Sequence, residues 1–198
     1  MKKMLLLTGV ASVFALNAQA FEFNPYLAVK AKYAFTDYSV TTDAAKYSMD
    51  KDLFGGSGIL GVKFPFACGA FRAEAEYTRT NDAKKNIGDI RAELRTQALM
   101  FNAYYDFNTK TSFTPYVGFG LGGARMKLSG GDRAIHQTEL AWQLGLGVAY
   151  EINEHFTADL GYRYIDYGDF SDYLIVGENK TKVEAKANEI MLGIRYTF

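Results

Sequence analysis

The sequence is poor in cysteine, proline and histidine: its 198 residues include one cysteine, three prolines and two histidines. A single Cys68 cannot form an intramolecular disulfide, so a disulfide scaffold is excluded. No spacing of histidine, cysteine or carboxylate residues matches a metal site, and no glycine-rich phosphate loop precedes a helix. The sequence therefore predicts no cofactor and no metal.

The sequence also has no excess of basic over acidic residues or of acidic over basic residues. The 22 basic residues are balanced by 22 acidic residues, and the formal net charge is zero. Bulk charge therefore predicts no nucleic-acid partner. Beyond the N-terminal segment there is no apolar run near the ~20 residues that a membrane-spanning helix needs.

The N-terminal segment "MKKMLLLTGVASVFALNAQA" has the form of a secretory signal peptide. Lys2 and Lys3 precede a short apolar run, and Ala18 and Ala20 supply the small residues of a cleavage site. We expect cleavage after Ala20. Residues 1–20 are then the signal peptide and residues 21–198 the mature domain.

What the mature chain does contain is strict alternation. Apolar residues occupy every second position and polar or small residues the positions between, which is typical of strands whose two faces meet different surroundings. Eight such runs recur along the chain, with lengths that approach the roughly ten residues that a tilted strand needs to cross a bilayer. They span Leu27–Phe35, Ile59–Phe64, Phe71–Tyr77, Ala98–Tyr105, Tyr116–Gly122, Trp142–Glu151, Phe156–Arg163 and Glu189–Phe198.

A soluble antiparallel sandwich also alternates, so the two faces must be compared. The apolar faces carry no charged residue, and tyrosine, phenylalanine and tryptophan concentrate near the ends of the runs, as they do at membrane interfaces. Hydrocarbon offers no hydrogen-bond partner, so an exported chain without spanning helices crosses it only as a closed barrel. The predicted fold is all-β: an eight-stranded antiparallel up-and-down transmembrane β-barrel whose last strand pairs with its first.

The opposite faces are predicted to point into the lumen, where paired charges fill the barrel. Short connections are predicted at 65–70, 108–112 and 153–155, and long outer loops at 36–55, 80–92, 129–135 and 168–186. Both termini then lie in the periplasm. The predicted lumen charge network comprises Lys30, Lys32, Lys63, Arg72, Glu74, Glu76, Glu151, Asp159, Arg163, Glu189 and Arg195.

The signal peptide together with "PYVGFGLGG", "WQLGLGVAYE", "LGYRY" and the terminal "LGIRYTF" resembles the small outer-membrane barrels of Gram-negative bacteria. These are OmpA-type transmembrane domains and Opa-like opacity adhesins. The resemblance implies a monomer in the cell outer membrane, surrounded by outer-membrane lipid and lipopolysaccharide. It also implies that Ile194, Tyr196 and Phe198 form the signal read by the barrel-assembly machinery.

Three functions are compatible with such a barrel. The first is a non-enzymatic role in envelope integrity or adhesion to a host or cell-surface ligand through four outer loops. Their aromatics could anchor a partner or pack the loops together (Tyr38, Tyr47, Phe54, Phe170 and Tyr173). The second is a small ion channel through the charged lumen. The third is a lipid A-modifying enzyme.

An enzyme of this kind would need a histidine near the outer rim. His136 is predicted to lie in an outer loop, with Ser129 and Glu139 near it in sequence, and His155 at a periplasmic turn. Nothing in the spacing brings a nucleophile, a base and an orienting group together. The sequence therefore favours the non-enzymatic function and predicts no catalytic residue.

Overall fold

A computed structural model describes residues 23–41, 46–81, 83–87, 90–130, 133–171 and 182–198. The predicted signal peptide lies outside these residues and stays a prediction. The described chain forms nine strand segments and no helix long and apolar enough to cross a membrane. The segments are β1 (Asn24–Thr41), β2 (Lys46–Phe66), β3 (Gly69–Thr80), β4 (Ala83–Ile87), β5 (Ile90–Phe107), β6 (Phe113–Gly130), β7 (Arg133–Glu151), β8 (Phe156–Ser171) and β9 (Lys182–Thr197).

These segments build an eight-stranded closed barrel, as predicted. All pairings are antiparallel, β9 pairs with β1, and β3 pairs with β5 to complete the ring. The short β4 also pairs with β5 and continues the wall that β3 begins. The last alternating run of the sequence is therefore the seam of the barrel, which explains why its pattern persists to the final residues.

The register fixes how steeply the strands tilt. The paired residues can be followed from strand to strand around the barrel, starting at Leu60 of β2 and passing through β3, β5, β6, β7, β8, β9 and β1. This path returns to β2 at Asp50, which lies ten residues from Leu60 towards the outer end of the strand. A stagger of this size in an eight-stranded barrel corresponds to a tilt of about 40°. Residues paired across neighbouring strands therefore climb by about 3 Å per strand along this path.

The strands are much longer than the predicted runs. Most contain 16 to 21 residues, whereas β3 contains 12 and the short β4 contains five. The predicted outer loops are accordingly wrong in extent: β1 and β2 remain paired from Thr36↔Lys51 to Thr41↔Lys46, and only residues 131–132 separate β6 from β7. Beyond the lipid both faces of a strand meet water, so the alternation that marked the runs disappears while the ladder continues.

The three predicted short connections are confirmed. The β2–β3 turn consists of Ala67 and Cys68, whose side chain is exposed, and the other two turns occupy 108–112 and 152–155. In the third turn Asn153 Oδ1 accepts hydrogen bonds from the backbone N–H of His155 at 3.0 Å and of Phe156 at 2.8 Å. Such side-chain acceptors stabilise tight turns.

The outer surface is apolar, as the alternation predicts. Leu60, Phe101, Leu146 and Leu192 are between 47% and 64% exposed although they are large and hydrophobic, which in water would be unfavourable and in lipid is not. Aromatic contacts form two belts around this surface. The periplasmic belt contains Phe66, Phe71, Tyr105, Phe107, Phe113, Tyr150, Phe156, Tyr196 and Phe198, and the outer belt contains Tyr33, Phe35, Phe54, Trp142 and Tyr164.

Candidate functional site

Among the side chains that the structure describes, ten charged ones are buried in the lumen, five cationic and five anionic. Nine of them belong to the predicted network, and the tenth is Asp106, which the sequence analysis missed. Asp106 continues the inward-facing row of Asn102 and Tyr104, so extending the alternation by one residue beyond Tyr105 would have found it. With Asp106 included, the buried charges balance, which is what a low-dielectric interior requires.

Arg163 is the centre of the network. Its Nε donates to Glu189 Oε2 at 2.6 Å, and its Nη1 donates to Glu76 Oε1 at 2.9 Å and Gln143 Oε1 at 2.9 Å. Lys32 donates to the other oxygen of Glu189 at 2.9 Å. One guanidinium therefore links side chains of β3, β7 and β9 across the lumen.

Two amides and a phenol complete this central cluster. Asn102 donates to Glu76 Oε2 at 3.0 Å, and Gln143 donates to Asn102 Oδ1 at 2.6 Å. Tyr167 donates to Glu189 Oε1 at 2.8 Å. These neutral partners were not among the predicted site residues, because only charged residues on the inward faces were assigned to the network.

A second cluster lies nearer the periplasm around Arg72. Its Nε contacts both oxygens of Asp106 at 2.8 and 2.9 Å, and its Nη1 donates to Glu74 Oε1 at 2.7 Å. The guanidinium also lies 4.7 and 4.8 Å from the ring centroids of Tyr104 and Tyr116, which is within the range of a cation–π contact. Arg195 pairs with Asp159 at 2.6 Å.

Three predicted members are placed differently. Lys63 and Glu151 lie at the periplasmic mouth, 3.8 Å apart, with side chains 27% and 52% exposed, and are not joined to the buried network. Lys30 is buried with its Nζ 5.8 Å from the Tyr104 ring centroid. Among the described residues no carboxylate lies within 4 Å of Lys30.

Glycines on β6 and β7 make room for this filling. A Cβ at Gly118 would overlap the ring of Tyr104, and a Cβ at Gly147 would overlap the hydroxyl end of Tyr116. The glycine-rich "GFGLGG" segment therefore serves packing, because side chains of neighbouring strands such as Tyr104 of β5 occupy the volume that its missing side chains leave free.

Towards the outer end, the described part of the lumen contains an apolar layer. Met100 and Ile165 are fully buried there among small residues (Ala34, Ala98, Ala124, Ala141, Ala185 and Ala187). Buried threonines lie on the inward faces of β1, β3 and β5 (Thr36, Thr80 and Thr96). This layer was not predicted from the sequence. Its apolar side chains offer no ligand to an ion, which would lose hydration beside them without compensation.

The two histidines lie at opposite ends of the barrel. His136 lies in β7, opposite Lys127 of β6, so its predicted loop position is wrong; its side chain lies outside the described part. His155 lies at the periplasmic turn, where Nδ1 is 3.0 Å from the Thr197 carbonyl oxygen and the ring stacks on Tyr196. Within the described residues no cluster of metal-binding side chains occurs.

The last residues are held at the periplasmic edge. The N–H of Phe198 donates to the Pro25 carbonyl at 3.1 Å, and the N–H of Thr197 donates to the His155 carbonyl at 2.8 Å. Ile194, Tyr196 and Phe198 all face outwards and are 44%, 38% and 65% exposed. Their common face is therefore available to lipid once the barrel is folded.

Of the loop aromatics considered as partner anchors, Phe54 alone has a described side chain. Its ring contacts Tyr33 edge-on at 4.8 Å, in the outer aromatic belt. Phe54 therefore lies well below the outer end of the paired strands, at a level typical of a membrane-interface aromatic residue. The side chains of Tyr38, Tyr47, Phe170 and Tyr173 lie outside the described residues.

Comparison with known proteins agrees with this architecture. A family model described as "Outer membrane protein beta-barrel domain" matches residues 5–198. The outer membrane protein PagN of Salmonella typhimurium is 29% identical over 177 residues, which cover 75% of this chain and 74% of PagN. The putative adhesin RC1281 of Rickettsia conorii is 27% identical over 116 residues, covering 50% of this chain and 47% of RC1281.

Among solved structures, the Neisserial surface protein A has the same kind of fold. Its TM-score is 0.59 at 21% sequence identity, and the match covers 88% of this chain and 97% of that protein. At this level of identity the likeness concerns the barrel, not its ligands.

Proposed function

The chain belongs to the outer membrane protein beta-barrel domain family, and we propose that it is a non-enzymatic surface protein acting in adhesion or envelope integrity through its outer hairpins. The observation that carries this proposal is the unequal length of its two ends. At the periplasmic end the turns follow directly on the aromatic belt, for example after Phe66. At the outer end the paired strands continue well beyond the lipid.

The β1–β2 hairpin gives the scale of this extension. Tyr33 and Phe54 pair in the outer aromatic belt, and eight further residues of each strand remain paired up to Thr41 and Lys46. At the rise and tilt of these strands, eight residues project by roughly 20 Å. Paired backbone at this height offers a pre-organised surface, which lowers the entropic cost of binding a partner.

The name of one relative supports the adhesive alternative. The similar protein RC1281 is a putative adhesin, whereas PagN is named only as an outer membrane protein. The apolar layer around Met100 and Ile165 weighs against a channel. The periplasmic position of His155 weighs against an outer catalytic site that uses it.

The proposed function is tested by presenting the barrel on cells. We expect a non-adherent bacterium that displays the native protein to be retained on host cells or on other bacteria. A variant in which residues 172–181 are replaced by a short glycine–serine turn should lose a large part of this retention, because that connection lies at the outer end. A variant in which the periplasmic turn 108–112 is replaced by the same glycine–serine turn is the control. Equal retention of cells that display the native protein and cells that display the 172–181 variant would contradict adhesion through this connection.

We also propose that Ile194, Tyr196 and Phe198 are read by the barrel-assembly machinery before folding. Deletion of Phe198 should reduce the amount of folded barrel in cells several-fold, while refolding from urea into detergent is changed little, since Phe198 is 65% exposed. The measurement is heat-modifiable migration on gels after each route. Substitution of the similarly exposed Phe113 by alanine is the matched control. An equal loss by both routes would show that Phe198 acts through stability of the seam.

A further inference from the structure

Two arginines face outwards on one wall of the barrel. Arg79 of β3 and Arg125 of β6 are both exposed, and the ladder joins them through Gln97 of β5 in a single row. Two interstrand spacings, about 10 Å, separate the strands that carry them. The two residues are 46 positions apart in the chain, and nothing in the sequence relates them.

The row lies at the outer edge of the lipid band. Below Arg79 on the same face is Tyr77, and below Gln97 is Leu99, which are 50% and 49% exposed. Corrected for strand tilt, Arg79 is level with Trp142 of the outer aromatic belt, and Arg125 is about 6 Å further out. These are the depths at which lipid headgroups meet a membrane protein.

Neither arginine has an anionic partner among the described residues. The outward-facing carboxylate of Asp52 on neighbouring β2 lies four residues, about 13 Å, along the strand from the partner of Arg79, and it interacts with Tyr33. The opposite wall differs: Lys186 lies 3.2 Å from Glu184 and 4.0 Å from Asp166. Within the described part of the barrel, one outward cation at this depth is thus paired with carboxylates, and two are not.

We propose that Arg79 and Arg125 form a binding site for the phosphate groups of lipopolysaccharide in the outer leaflet. Guanidinium groups bind phosphate through paired N–H donors, and the interaction strengthens at a membrane surface where water is partly excluded. The apolar band directly below accepts the acyl chains of the same molecule. Gln97, lying between the arginines, adds a neutral donor to the row.

Lipid A binding to the purified full-length mature barrel in detergent micelles tests the proposal. The probes are lipid A with both phosphates and the same lipid without them. We expect Arg79→Gln combined with Arg125→Gln to raise the dissociation constant for phosphorylated lipid A about tenfold. Arg79→Lys with Arg125→Lys should lie between, because the charge remains and the paired donors are lost.

Lys186→Gln is the matched control, since it removes an outward cation at similar depth that already has two carboxylates. It should leave the affinity unchanged. Wild-type protein should bind dephosphorylated lipid A as weakly as the double glutamine variant does. All substituted residues are at the surface, so heat-modifiable migration should show that each variant folds. Equal affinities of wild type and double variant for phosphorylated lipid A, or no preference of wild type for the phosphates, would overturn the proposal.

Discussion

Replacing Arg163 by alanine is expected to lower the free energy of unfolding by about 3–5 kcal/mol. The guanidinium donates to Glu76, Glu189 and Gln143, and both carboxylates are almost completely buried. Without it, Lys32 remains to balance Glu189, whereas Glu76 keeps the neutral donor of Asn102 and only the more distant charge of Lys30. A buried charge left without its partner costs far more than the pair contributed.

Urea unfolding of the refolded barrel in detergent micelles measures this change, with fluorescence of the single Trp142 as the probe. Lys63→Ala is the matched control, because its ion pair with Glu151 is 3.8 Å long and partly exposed. Such a pair contributes about 0–1 kcal/mol. If Arg163→Ala and Lys63→Ala had the same small effect, the buried network would not be integral to the fold.

A double variant separates lost charge balance from lost packing. Arg163→Met with Glu76→Gln removes one charge of each sign, and the buried pair of Lys32 and Glu189 remains. We expect it to be clearly more stable than Arg163→Ala. A double variant as unstable as the single one would indicate that the volume of the guanidinium, rather than its charge, is what the lumen requires.

Leu146→Arg should destabilise the barrel by roughly 2–4 kcal/mol. Leu146 is 56% exposed and lies on β7 midway between Trp142 of the outer belt and Tyr150 of the periplasmic belt. A charge at that depth is surrounded by hydrocarbon and has no partner to bind. Unfolding in lipid vesicles by guanidinium chloride is the measurement, since detergent does not fix the depth.

Leu140→Arg provides the control on the same strand and the same face. Leu140 is 71% exposed and lies two residues beyond Trp142 towards the outside, where the cost of an arginine falls to about 0–1 kcal/mol. A neutral Leu146→Arg would mean that this face does not meet lipid. Equal costs at both positions would mean that the lipid band extends past Trp142.

Much of the fold could be predicted because lipid imposes a strong pattern on sequence. A strand with hydrocarbon on one side and a filled lumen on the other must carry apolar residues at every second position. The runs that contain Leu146 and Leu192 show large apolar side chains at each of these positions. The pattern gave the number of strands, the face that meets lipid and the pairing of the last strand with the first. Where lipid ends the pattern ends, and the extent of the outer strands was therefore missed.

The lumen was harder to predict for a different reason. Alternation says that Arg163 and Glu189 point inwards, but it does not say which carboxylate each cation meets. Asp106 was missed because its row was ended one residue early, and the apolar layer around Ile165 was missed because inward rows were expected to be polar. Both depend on which residues of distant strands reach the same height.

The sequence by itself determined that this is an eight-stranded barrel with an apolar exterior, because each residue's preference for lipid or for the lumen is a local property that shows at every second position. The tertiary structure alone decided which charges pair, where apolar side chains meet in the lumen and that Arg79 and Arg125 share one row. These follow from the ten-residue stagger of the closed ring, which sets the height of every strand relative to its neighbours and has no signature within any single strand.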